Sequence, residues 1–152
     1  MKNFKKTILL PLIIILVSCG YSPLMNSKNV NFYFSEIQFD GDRTINKIIR
    51  DNLRKHEMYI EGAEKYDLII SSNYMKNISN KDKNGDPKNY NLKINVKVIY
   101  KSSKEEYSKI YEKNISLAAQ NKKIEEKELE TKYKRDLSKN ISDEIILYIM
   151  KK

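Results

Sequence analysis

The chain has few of the residues from which catalytic and metal sites are built. Among its 152 residues are one cysteine, one histidine and four glycines. One cysteine cannot form an internal disulfide, and no cysteine pair or histidine cluster offers a zinc site. The sequence also lacks a Gly-rich phosphate loop and a G-x-S-x-G serine motif. The sequence therefore offers no set of residues on which to predict catalysis, and no cofactor is expected.

The single histidine and the paired carboxylates do not alter this prediction. His56 lies near the end of the first predicted helix beside Lys55, and we expect it to interact with the helix dipole rather than to act in catalysis. The acidic pairs Glu105-Glu106 and Glu125-Glu126 stand next to lysines in charged segments. Solvated surface positions are the better interpretation of both pairs.

The N-terminus has the three regions of a secretory signal. Lys2, Lys5 and Lys6 form a basic region, and residues 7–17 (TILLPLIIILV) are apolar and uncharged. This run has the length of a signal-peptide core and is too short to span a bilayer, which takes about 20 residues. The sequence Leu16-Val17-Ser18-Cys19 follows, an aliphatic residue and small residues before a cysteine. It is typical of the lipobox of bacterial lipoproteins.

We therefore predict that residues 1–18 are cleaved and that Cys19 carries the lipid, an S-diacylglycerol and an N-acyl chain. Two or more acyl chains give stable membrane anchoring. Residues 19–29 would be a lipidated tether, and residues 30–152 a single domain. Gly20 stands where an aspartate retains lipoproteins in the inner membrane of well-studied Gram-negative bacteria. An outer-membrane, periplasm-facing location is therefore expected.

The formal net charge of +9 is a weak functional signal. Without the three signal-peptide lysines, 26 basic and 20 acidic residues remain, which leaves +6. A bias towards Lys, Asn and Ile is typical of an AT-rich genome. A positive surface favours phosphates or lipid head groups, and an exported domain would not meet nucleic acid.

Hydrophobic periodicity predicts four strands and two helices. Strands are predicted over 31–40, 66–76, 90–100 and 106–117, and helices over 43–56 and 128–150. One stripe of the first helix carries Ile45, Ile48, Ile49 and Leu53, and one stripe of the second carries Leu129, Tyr133, Leu137, Ile141, Ile145 and Tyr148. The polar segments 77–89 and 118–127 are predicted to be a mobile hairpin loop and a mobile linker.

The order strand, helix, strand, strand, strand, helix predicts the fold class. A sheet with one wet face must bury its other face against the two amphipathic helices. We predict an α+β two-layer sandwich, in which a four-stranded, mainly antiparallel sheet carries both helices on one face.

Lysines on the wet sheet face are candidate anion contacts. Lys93 and Lys97 lie about 13 Å apart along the third strand, and Lys109 and Lys113 repeat that spacing on the fourth. Lys76, Lys81, Lys83 and Lys88 surround the hairpin loop. Such a face could bind a phosphorylated glycolipid through charge-assisted hydrogen bonds. The alternative is an ordinary solvated face, since exposed lysines usually contribute little.

The start of the mature chain resembles the LPS-assembly lipoprotein family LptE, especially its alphaproteobacterial members, which often read Cys-Gly-aromatic-x-Pro-Leu-Tyr. The matching residues are Cys19, Gly20, Tyr21, Pro23 and Leu24, whereas Met25 and Asn26 depart from the Tyr-Gly that often follows. The segment 135–138 (RDLS) and Ile141 look like the family's final helix, and the order of elements is also similar.

The resemblance implies a non-catalytic role in lipopolysaccharide transport and outer-membrane assembly. Proteins of this family plug the large outer-membrane β-barrel LptD and bind lipopolysaccharide. Two alternatives remain open: another outer-membrane lipoprotein of a barrel-insertion or cell-wall complex, and a small lipid-anchored hydrolase. For the lipopolysaccharide contact, Lys93 and Lys97 are chosen from position alone.

Overall fold

The computed structural model of the protein describes residues 31–152. The predicted signal peptide, the lipidation site Cys19 and the tether 19–29 lie outside the described residues. The elements are β1 (Phe32–Gly41), α1 (Arg43–Leu53), a 3-10 turn (Arg54–His56), β2 (Glu64–Lys81), β3 (Pro87–Lys101), β4 (Glu106–Ala118) and α2 (Lys123–Met150).

The four strands form one mixed sheet in the order β1-β2-β3-β4. β1 and β2 run parallel and are connected through α1, whereas β2, β3 and β4 are successive antiparallel neighbours. Short turns suffice for the antiparallel pairs, but a parallel pair needs a crossover connection. The predicted α+β class and element order are confirmed.

One face of the sheet and both helices share a single apolar core. Leu68, Ile70, Ile94 and Val96 from the central strands are almost fully buried. They belong to one cluster with residues of both helices, including Ile45, Ile49, Ile141 and Ile145. Both helices therefore cover the same face, as predicted for a two-layer sandwich.

An irregularity in β1 keeps its apolar residues on the core side. The register with β2 shifts between Phe34 and Glu36. Before the shift, the core-facing residues are Phe32 and Phe34; after it, Ile37 and Phe39 pack against the core. Even-numbered residues thus face the core before the bulge and odd-numbered residues face it afterwards, so both halves of the strand bury their apolar side chains.

Helix α1 begins at a side-chain cap and packs through one stripe. The Asp42 carboxylate accepts hydrogen bonds from the backbone N–H groups of Thr44 and Ile45, at 2.9 and 3.0 Å. Ile45, Ile49 and Leu53 are fully buried, and Ile48 is half-buried.

The cap of α1 is also tied to α2. Lys134 Nζ of α2 lies 3.3 Å from Asp42 Oδ2. Burial opposes ionisation of Asp42, but the Ile45 N–H and Lys134 outweigh it and lower the pKa of this carboxyl. Asp42 therefore fixes the start of one helix and the position of the other.

The structure corrects the predicted extent of α2 and of its buried stripe. The helix begins at Lys123 rather than at 128, so part of the predicted mobile linker is helical. Leu137, Ile141 and Ile145 are buried as predicted, but Leu129, Tyr133 and Tyr148 are only half-buried. The stripe is widened by Ser138, Ser142, Ile146 and Ile149. Each serine hydroxyl donates to the backbone carbonyl four residues earlier, so its burial leaves no unpaired hydroxyl.

The predicted loop 77–89 is mostly strand. β2 continues to Lys81 and β3 starts at Pro87, so only residues 82–86 turn the chain. The Asp82 carboxylate accepts from the backbone N–H groups of Asn84 and Asp86, and Gly85 has a φ of 90°. The strand extensions on either side of this turn were not predicted, because polar strands exposed on both faces carry no hydrophobic alternation.

The junction between β1 and α1 requires glycine at position 41. Gly41 has a φ of 95° and pairs with Ser72 of β2. A Cβ at this position would stand 1.9 Å from the Ser72 carbonyl oxygen. The backbones approach too closely for any side chain, and the left-handed conformation adds a further penalty.

We expect Gly41→Ala to lower the free energy of unfolding by about 3 kcal/mol or more, from left-handed strain together with the backbone clash. Gly62→Ala is the matched control, because Gly62 also has a positive φ, of 77°, but nothing lies within 4 Å of its added Cβ. That variant should lose only about 1–2 kcal/mol. Urea unfolding measures both, and equal losses would contradict the close-approach explanation.

Candidate partner-binding surfaces

The second face of the sheet carries side chains that alternate with the core residues. We call it the outer face. It consists of Tyr33, Glu36, Gln38 and Asp40 of β1, the odd-numbered residues 65–77 of β2 and 91–101 of β3, and the even-numbered residues 106–118 of β4. Both described helices pack on the opposite face. Within residues 31–152 no helix covers the outer face, and its side chains are mostly polar, with Ile69, Met75, Ile99 and Ile110 as the large apolar exceptions on β2–β4.

The two candidate lysines both lie on the outer face, in the middle of β3. Lys97 is exposed and stands between Ser71 of β2 and Ile110 of β4 in the register. Lys93 is half-buried, and its Nζ lies 2.6 Å from Glu112 Oε1. An anion could approach Lys97 directly, whereas at Lys93 it would have to compete with a carboxylate.

Most of the outer-face charge is balanced by close partners. Lys65 lies 3.7 Å from Asp67, and Lys101 lies 3.4 Å from Glu106. Asn, Ser and Gln occupy many of the remaining positions. The face is thus rich in hydrogen-bonding groups and mixed in charge, rather than a uniformly basic patch.

The interpretation of Lys109 and Lys113 as wet-face residues was wrong. Both share the strand parity of Tyr111, which is buried in the core, and both therefore point towards the helices. Lys109 Nζ lies 4.0 Å from the centroid of the Tyr148 ring, and Lys113 pairs with Glu144 of α2. A long lysine stem can cover apolar surface while its ammonium group stays at the edge.

The end of the β2–β3 hairpin forms a second polar surface. We call residues 77–89 the hairpin arm. Residues 77–81 are exposed on both sides of their strand. At the tip, Lys81, Lys83 and Lys88 line an open cavity of about 620 Å³, which Gln120 and Asn121 border. The arm offers exposed ammonium groups beyond the part of the sheet that the helices cover.

Lys76, which was grouped with the loop lysines, belongs to a structural network instead. Its Nζ lies 2.8 Å from both Glu126 and Glu130 of α2, and 4.3 Å from the Tyr90 ring centroid. The Tyr74 hydroxyl donates to Glu130 at 2.7 Å. Burial opposes ionisation of Glu130, but the bonds from Lys76 and Tyr74 lower its pKa. This network fixes the first turns of α2 to the base of the hairpin arm.

His56 is a packed residue rather than a dipole partner. Its ring stacks on Phe32 with centroids 5.3 Å apart, and its Nε2 is buried without a hydrogen-bond partner. Burial, and then the charge of Lys55, lower its pKa. The neutral imidazole is therefore favoured, which is the opposite of what a helix C-terminus would select.

Within residues 31–152, no three His, Cys, Asp or Glu side chains come together as metal ligands. In the same part of the chain, no helix is long and apolar enough to cross a bilayer.

One exposed apolar segment had no counterpart in the sequence predictions. Met58 and Tyr59 are 75% and 72% exposed, and Ile60 is 38% exposed, in the loop before β2. The run is too short to show periodicity. Its signal in the sequence is three consecutive large apolar residues between the basic end of a helix and a strand.

Comparison with solved structures places the fold among bacterial lipoproteins. Rare lipoprotein B from Shewanella oneidensis matches with a TM-score of 0.58 and 14% identity, over 76% of this chain and 92% of that chain. A putative lipoprotein from Caulobacter crescentus matches with a TM-score of 0.52 and 12% identity, over 76% and 88%. Lipoprotein B from Nitrosomonas europaea matches with a TM-score of 0.52 and 16% identity, over 78% and 84%.

This chain shares their fold. At these identities the likeness concerns the fold alone. No protein-family model and no curated protein sequence matches the chain.

The packing of His56 predicts how stability changes with pH. Because its pKa is lower in the folded state, the unfolded chain binds more protons below about pH 6.5, so stability falls as the pH drops. We expect the urea midpoint to decrease from pH 7.5 to 5.5. His56→Phe keeps an aromatic ring against Phe32 and removes the titration, so its midpoint should stay constant over this range. An equal decrease in both proteins would contradict this account.

Proposed function

We propose that the chain is an outer-membrane lipoprotein of the LptE type. In this proposal Cys19 carries the acyl chains, the domain fills part of the lumen of a large LptD-like β-barrel, and the complex transports lipopolysaccharide. The observation that carries the proposal is the shared fold with rare lipoprotein B, which extends over 92% of that chain. The lipobox indicates a lipoprotein, and the Cys19–Leu24 sequence resembles that of the LptE family.

The outer face suits a wet partner surface. Barrels that conduct water-soluble or amphipathic cargo have polar interiors. Lys97, Ser71 and Asn73 offer donors and acceptors along the middle of the outer face, and the hairpin arm adds polar groups on both of its sides. Interfaces of this kind gain specificity from many hydrogen bonds and trapped waters rather than from apolar area.

Lipopolysaccharide is an anionic glycolipid, and exposed ammonium groups are the matching chemistry. Lys97 on the outer face and Lys81, Lys83 and Lys88 at the hairpin tip are exposed or line the open cavity there. Phosphate–lysine contacts are charge-assisted and therefore stronger than neutral hydrogen bonds. Lys93 could bind a phosphate only if its ion pair with Glu112 were broken.

The proposed role is non-catalytic. The one histidine packs against Phe32. Glu126 and Glu144 of α2 form ion pairs with Lys76 and Lys113 of the sheet. A serine-hydrolase activity probe on the purified protein tests the competing hydrolase function, and covalent labelling would favour that function over the one proposed.

Detergent-solubilised pull-down with mass spectrometry tests the proposal. The tagged protein should recover one large β-barrel protein as its main partner. Intact mass of the same preparation should show a chain that begins at Cys19 with its acyl chains. Recovery of a multi-subunit barrel-insertion complex, or of cell-wall fragments, would instead support another class of outer-membrane lipoprotein.

The outer face should contribute measurably to this recovery. We expect Lys97→Glu to reduce the recovered barrel by about tenfold or more, because a like-charge or unpaired contact in a buried polar interface costs several kcal/mol. Lys139→Glu is the matched control, since Lys139 is also exposed but lies on α2, away from the outer face. Equal recovery with both variants would contradict a role for this face.

A further inference from the structure

The loop that precedes β2 exposes three consecutive large apolar residues to solvent. Met58, Tyr59 and Ile60 are consecutive, and they are 75%, 72% and 38% exposed. Single exposed apolar residues are common, but contiguous patches mark interaction sites. We call residues 57–63 the apolar loop.

The apolar loop lies where the N-terminal segment joins the domain. The backbone N–H of Glu64, directly after the loop, donates to the Asn31 carbonyl at 2.9 Å. The Tyr59 ring packs edge-on against Tyr33, with centroids 5.3 Å apart. The loop and the first residues of β1 therefore belong to one end of the sheet.

The length of the N-terminal segment limits the distance between this end and a membrane. Residues 19–30 number twelve, which span at most about 40 Å when fully extended. A lipid on Cys19 would thus hold this end of the sheet within about 40 Å of the bilayer, so the apolar loop can reach the bilayer surface. Tyrosine and aliphatic side chains are the residues that partition into the interfacial region of a bilayer.

We propose that Met58, Tyr59 and Ile60 insert into the lipid interface beside the acyl anchor, an inference that rests on the lipid anchor of the proposed function. Nearby charges do not favour an electrostatic attachment, because Arg54 and Lys55 are offset by Glu57 and Glu61. Insertion is therefore hydrophobic. It holds one end of the sheet at the membrane and leaves the hairpin arm, at the opposite end of β2, free for a partner.

The chain offers a clean spectroscopic test, because it contains no tryptophan. Tyr59→Trp places a single reporter in the apolar loop. Ile124→Trp is the matched control: Ile124 is 74% exposed but lies in the first turn of α2, beside the hairpin arm. Both mature, lipidated proteins are reconstituted into phosphatidylcholine vesicles, with and without bromine on the acyl chains. Thermal unfolding checks that both variants fold like the wild type.

We expect the Tyr59→Trp emission to shift to the blue and to be mostly lost with brominated lipid. The Ile124→Trp emission should keep its wavelength and intensity. Adding Met58→Asn and Ile60→Asn to Tyr59→Trp should restore the emission. Anionic lipid or raised salt should change none of these results, because the contact is hydrophobic.

Four results would overturn the inference. The first is a Tyr59→Trp emission equal to that of the Ile124→Trp control when the protein floats with the vesicles. This result shows that the lipid anchor holds but the apolar loop stays in water. If the protein does not float with the vesicles, the lipid anchor is contradicted. If the Tyr59→Trp emission is also unquenched by brominated lipid, insertion of the apolar loop is rejected as well. Quenching that disappears in high salt indicates charge adsorption. A blue shift that depends on protein concentration in detergent, without vesicles, assigns the loop to a second copy of the chain.

Discussion

Burial of one sheet face beneath two helices is the constraint on which the rest of the structure depends. Ile45 and Ile49 of α1, and Ile141 and Ile145 of α2, are fully buried against the central strands. Apolar burial of this kind stabilises by roughly 25 cal/mol per Å². Because both apolar stripes are used on the same side, the other side of the sheet keeps its polar side chains in water.

Polar contacts hold the helical layer in place at its edges. Lys134 joins α2 to the capping carboxylate of α1, and Lys76 joins the start of α2 to the hairpin. Lys113 pairs with Glu144 near the other end of α2. Three of the lysines that make the sequence basic thus hold the helical layer in place. On the outer face and the hairpin arm, the exposed lysines without a close acidic partner are Lys97 and, at the hairpin tip, Lys81, Lys83 and Lys88, so these are the candidate contacts for an anionic ligand.

Strands and helices were predictable from the sequence wherever one face is buried, because burial makes apolar residues recur at regular spacing. β3 alternates strictly from Leu92 to Val98, and its core-facing residues from Leu92 to Tyr100 are all fully buried. The hairpin arm was missed because strands that are exposed on both sides carry no such pattern. The bulge after Phe34 changes side-chain parity within one strand, and only the ladder with β2 reveals it. Lys109 and Lys113 were misplaced for a related reason: a lysine on a core-facing position looks polar in the sequence, although its stem lies on apolar surface.

We propose that the outer face, opposite the helices, is the surface that meets the barrel. A photo-crosslinking amino acid in place of Ile110 tests it in living cells, because Ile110 is 66% exposed and stands beside Lys97 in the register. The same amino acid at Lys139 reports on the helical side. The account predicts one adduct of the size of a large outer-membrane β-barrel from position 110 and none from 139. An adduct from 139 with none from 110 would contradict it.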